Sequence, residues 1–133
     1  MKITSTVARY FLGFIFFVFG LNGFLHFIPV PPPTGVAAQF MGALYVSNYL
    51  ILIFLLQLIP AVLLLVNRYV PLALTLLGPV IVNILCFHAF MAPSGLPLAI
   101  VVTVLWGLVF YGFRSSFAGI FQQRPVASET SRA

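Results

Sequence analysis

The chain has 133 residues, enough for one domain, of which 62% are hydrophobic and only 5% charged. A soluble domain carries roughly 25% charged residues, so a soluble globular enzyme is excluded, and so is a disordered chain. The formal charge of +5 comes from six Lys/Arg standing singly between apolar stretches, a pattern that excludes a nucleic-acid partner and marks the rim of a protein whose partner is the lipid bilayer.

A helix needs about 20 apolar residues to cross a bilayer, and four stretches qualify: residues 7–28, 47–66, 71–91 and 97–117. The first runs into Pro29, Pro31, Pro32 and Pro33, which cannot donate helical hydrogen bonds. Its apolar run is longer than the 7–15 residues usual for a signal peptide, and it reads as a retained helix. Residues 29–46 follow, and 36–45 are small and apolar apart from Gln39, which predicts a short helix in the outer interface. The second span stops at Asn67 and Arg68. The third opens on Pro71, where the missing N–H costs nothing. Ala92, Pro93, Ser94 and Gly95 make the turn into the fourth. The expected fold is therefore all-α: an integral membrane four-helix bundle with a short extracytoplasmic interfacial helix, residues 1–117 forming the domain and 118–133 a cytoplasmic tail.

Lys2 and Arg9 stand at the start of the first span, Arg68 joins the second to the third, and Arg114, Arg124 and Arg132 stand at or beyond the end of the fourth. With four crossings all six cations fall on one side. Lys and Arg collect on the cytoplasmic face, so both termini are expected there. The single cysteine, Cys86, excludes a thiol–disulfide relay within the chain.

Polar side chains inside a bilayer are costly and each asks for a reason. Asn22 and His26, four apart, share a face of the first helix. Asn83 and His88 are five apart on the third span and do not stack. The first and third spans both run outward, which puts His26 and His88 at one depth near the outer surface and both asparagines roughly 6–8 Å deeper. Gln57 is near the middle of the second span. Together these residues outline a polar pocket opening outward. The competing reading is that the amides only fasten helices, at an average of ~0.6 kcal/mol each, while the histidines reach headgroups.

Two histidines on separate helices also satisfy the minimum for a bis-imidazole haem, with Gly20 and Gly23 as space for a flat ring. No carboxylate second shell accompanies them, so haem is disfavoured and no metal site is assigned. Pro60 and Pro79 fall at matching depth on antiparallel spans and free the carbonyls of Leu56 and Thr75. They read as a pair of packed kinks, or as the walls of a cavity between bent helices.

From Arg9 to Phe113 the residues resemble the DoxX family of small four-helix membrane proteins. The likeness lies in Arg9-Tyr10-x-Leu12-Gly13 and Phe19-Gly20-Leu21-Asn22 of the first span, and in Phe40-Met41-Gly42-Ala43 of the outer segment. It continues through Leu63-Leu64-Leu65-Val66-Asn67-Arg68, Pro79-Val80-Ile81-Val82-Asn83-Ile84 and His88. The resemblance implies a bacterial inner-membrane protein, with some relatives linked to quinone-coupled oxidation of sulfur compounds or to oxidative-stress complexes. Many members carry a lysine after the first-span glycine and a glutamate in the second span. Gly23 and Gln57 stand in those neighbourhoods here, and neither titrates.

Two functions follow as expectations. One is a redox-associated subunit that binds a quinone-like lipid near Asn22, His26, Gln57, Asn83 and His88 and works with a membrane or peripheral redox protein. The other is a non-catalytic scaffold or assembly partner. A small-solute transporter ranks third, because the inner halves of the spans offer little polar path beyond Thr75.

Overall fold

The computed structural model describes residues 2–128. Arg132 and the last residues of the tail lie outside that range. Among the described residues the chain is all-α, with α1 over Lys2–Leu25, α2 over Gly35–Val46, α3 over Tyr49–Leu65, α4 over Val70–Phe90 and α5 over Leu96–Gly112. Short 3-10 turns cover Pro93–Gly95 and Arg114–Phe121.

Each junction has a local cause. Non-glycine residues rarely take positive φ, yet His26 does so at 53°, Asn48 at 62°, Asn67 at 55° and Tyr69 at 53°. His26 stops α1 before the proline run. Asn48 turns the chain between α2 and α3, whose axes meet at 89°. Asn67 and Tyr69 close the turn from α3 to α4, where the Arg68 amide returns to the Leu63 carbonyl at 3.0 Å and Pro71 occupies the first turn of α4.

The expected first span ends three residues late, because the left-handed turn at His26 breaks the helix before Pro29 can. The fourth is shorter than expected: α5 stops at Gly112 and the chain tightens into a 3-10 turn. Phe117 in that turn is buried against Phe110, with ring centroids 4.9 Å apart, and Phe110 stacks on Trp106.

The long helices close a ring of pairwise contacts, α1 touching α3 and α5 while α4 touches α3 and α5. Their directions follow from the contacts. Gly13 meets Leu65, Gly20 meets Leu58 and Gly23 meets Phe54, so α1 and α3 are antiparallel. Gly112 lies against Ser5, which sets α5 antiparallel to α1. The Trp106 indole donates to the Leu74 carbonyl at 2.9 Å and ties α5 to α4. One end of the ring, the base, therefore holds the α1 N-terminus, the α3–α4 turn and the end of α5. The other end, the mouth, holds the proline run, α2 and the α4–α5 turn.

Packing is uneven along the ring. Leu12, Leu64, Leu74, Leu77 and Val109 are fully buried, and small residues at Ala8, Ala61 and Ala73 let the helices close up there. No residue of α3 before Gln57 and none of α4 after Ile81 is buried. The helices pack tightly toward the base and enclose space toward the mouth.

The outer surface is apolar. Phe11, Phe14, Leu52, Val82 and Val104 all point away from the core and are about half exposed or more. Soluble monomers rarely expose contiguous apolar surface on this scale. By length and composition α1, α4 and Pro93–Gly112 are each sufficient to cross a bilayer, and α2 with α3 would make a fourth as a bent pair.

Arg9, read from the sequence as a rim cation, is buried at 5% exposure. Its Nη1 donates to the Leu64 carbonyl in the last turn of α3, and its guanidinium lies 4.3 Å from the centre of the Tyr10 ring.

Candidate functional site

A cavity of about 860 Å³ occupies the mouth half of the ring, within the range that holds small-molecule ligands. Its walls come from α1, α3, α4 and α5, and Met41, Tyr45 and Val46 of α2 border it as well. Phe16 and Val102 lie at its deep end, and both are buried. Most of the lining is aliphatic or aromatic.

Four of the five candidate residues, Asn22, His26, Gln57 and His88, line this cavity. The fifth, Asn83, does not. It borders a second cavity of about 580 Å³ on the far side of α3 and α4, and its Nδ2 donates to the Pro79 carbonyl at 2.8 Å. Five residues of helix amount to about 140° of rotation, so equal depth did not carry Asn83 to the face of His88.

The four cavity residues are held in different ways. The Asn22 Oδ1 accepts the Ile28 N–H at 2.7 Å, and the Asn22 carbonyl accepts the His26 N–H at 2.9 Å. Asn22 thus organises the end of α1. His26 lies just past that end, largely exposed, and does not continue the helical face shared with Asn22 that the spacing suggested. Asn22→Ala removes the acceptor for Ile28 and is expected to cost about 1 kcal/mol. A denaturant titration checks this, and Asn22→Asp, which keeps the acceptor, should recover most of the loss.

His88 is the better fixed histidine. Its Nδ1 lies 3.0 Å from the Ala92 carbonyl. A carbonyl can only accept, so the bond puts a proton on Nδ1 and leaves Nε2 as an acceptor in the neutral ring. The Phe87 ring meets the imidazole edge-on with centroids 5.1 Å apart. Gly95 lies against the other side, where any Cβ would overlap the imidazole. Glycine at 95 is what lets the α4–α5 turn close over His88, and no feature of the sequence alone marked it.

Gln57 sits deeper, at 9% exposure. No buried side-chain nitrogen or oxygen among the described residues lacks a partner or access to open space. The Gln57 amide has no hydrogen-bond partner among the described residues and borders the cavity space. It offers both a donor and an acceptor to a ligand. No three His, Cys, Asp or Glu side chains come together among the described residues.

Sequence reasoning missed most of the wall, Phe16, Phe54 and Tyr45 included, because apolar residues carry no mark of the face they take. No family model, curated protein or solved structure matches the chain.

Proposed function

We propose that this chain is a small DoxX-like protein of the bacterial inner membrane, a four-helix bundle with both termini cytoplasmic. In this reading α3 is the second span, α2 lies along the outer interface, and the cavity opens outward. It holds a quinone-like lipid, and the protein acts as a redox-associated membrane subunit beside a membrane or peripheral redox partner.

One observation carries the reading: an apolar cavity of ligand size in which Gln57 and His88 present hydrogen-bonding groups not consumed by the fold. A quinone is a flat apolar ring with two carbonyl acceptors. The Gln57 amide N–H would donate to a carbonyl, and His88 Nε2 would accept from the hydroxyl of the reduced ring and could carry its proton. The right-angle bend between α2 and α3 supports an interfacial α2.

The scaffold reading keeps its own support. Asn22 through its Oδ1 and Asn83 through its Nδ2 each bond a backbone group a few residues away, as structural polar residues do. The two readings part on binding. In nanodiscs, a tail-less dimethoxy-methyl-benzoquinone should bind saturably. Gln57→Leu and His88→Leu should each weaken it by about tenfold, the equivalent of roughly 1.4 kcal/mol, with the fold retained. Absence of saturable binding to the wild-type protein would leave the scaffold.

A further inference from the structure

The second cavity lies along the seam between α3 and α4, beneath α2. Met41, Leu50, Phe54, Gln57 and Ile84 line both cavities. Leu50, Phe54 and Gln57 follow one another at spacings of four and three, so they form a single stripe of α3. The partition between the ring interior and the outside of the seam is therefore one layer of side chains thick.

We infer that this seam is a lateral port: a ligand with its polar head beside Gln57 passes a single long apolar tail between α3 and α4 into the second cavity. This rests on the proposed ligand reading and extends it to the class of ligand and its route. Three features support it. Besides Gln57 the second lining has only Tyr49 and Asn83 as polar side chains, and the Asn83 Nδ2 is already bonded to the Pro79 carbonyl. The space suits a hydrocarbon chain and offers little to a second head group. Gln57, the polar residue common to both cavities, then marks the boundary between head and tail. The proline pair finds a purpose here too. Pro79 borders the second cavity, as does Leu56, whose carbonyl loses its helical donor to Pro60. Both helices miss a rung where the seam opens.

The test compares the tail-less benzoquinone with its decyl derivative in nanodiscs, corrected for partition into lipid, on the wild-type protein and on Leu52→Trp. Leu52 is half exposed and lines only the second cavity. Contacts of the tail with the seam should make the decyl compound bind about tenfold more tightly to the wild type. That advantage should vanish in Leu52→Trp while the tail-less compound binds as before. On the unaltered chain, a decyl tail ending in a diazirine should cross-link to Leu44, Leu52 or Val80. Cross-links at Tyr45 or Val46, or a tail advantage that survives Leu52→Trp, would send the tail out through the mouth. That would overturn the port and leave the ligand reading standing. If neither compound binds saturably, both fall.

Discussion

Arg9→Ala should lower stability by about 2–3 kcal/mol, a large loss for one side chain. Residues 2–128 contain no Asp or Glu, so Arg9 has no ion pair among the described residues. Its charge is compensated instead by the last carbonyls of α3, where the helix dipole places partial negative charge, and by the Tyr10 ring face. Truncation removes the bond to Leu64, empties the buried space, and leaves that carbonyl with only the longer Asn67 N–H contact at 3.3 Å. Arg9→Lys should recover part of the loss, because a point charge cannot keep both the carbonyl and the ring contact. Unfolding in mixed micelles, followed by Trp106 fluorescence, checks the order wild type, Lys, Ala. A loss below about 0.5 kcal/mol for Ala, in the range of ordinary surface changes, would mean that Arg9 pins nothing.

Gly23→Leu should cost less, at most about 2 kcal/mol net, and should also abolish ligand binding. Ordinarily glycine to a good helix former within a helix gains close to 1 kcal/mol. Here a Cβ at position 23 would lie within the Phe54 ring. Phe54 is in turn set edge-on to Phe24, with centroids 6.0 Å apart, so it has to swing as a whole into one of the two cavities that it lines, while the added leucine side chain at 23 enters the first. Overpacking of this kind costs roughly 1–3 kcal/mol, enough to outweigh the propensity gain, and the added side chain fills the space proposed for the ligand. Gly42→Leu is the control, since nothing lies within 4 Å of a Cβ there. It should keep both stability and binding. Retained benzoquinone binding in Gly23→Leu would contradict the placement of the ligand.

How much of this was legible beforehand depends on the kind of information. Position along the chain was readable. Proline runs, single cations and apolar lengths placed the long helices within a few residues of α1, α3, α4 and α5, and the small apolar segment before Ser47 is α2. Spacing along each helix axis was readable as well, since a constant rise converts residue count into distance. Rotation about each axis was not. In a helix apolar on every side, no polar face marks which side turns inward, and that is why Asn83 was grouped with His88 when the structure sets it beyond the α3–α4 seam. Arg9 illustrates the opposite difficulty. Counting cations treats each as rim charge, whereas the carbonyls at the end of α3 supply a buried partner that appears only once α1 and α3 are packed. The left-handed turn at His26 was also missed: histidine enters that region more readily than most side chains, but too seldom for one histidine to mark a turn.

The outward opening of the cavity depends on its mouth lying outside the cell and the base, with Lys2, Arg68 and Arg114, inside. Cysteine accessibility in intact cells tests that placement directly, in a Cys86→Ala background with either Ser94→Cys at the mouth or Ser128→Cys beyond the base. The proposed topology predicts that a membrane-impermeant maleimide labels position 94 in intact cells and reaches position 128 only after the cells are permeabilised. Labelling of position 128 in intact cells, with position 94 protected, would turn the protein over and contradict an outward-opening cavity.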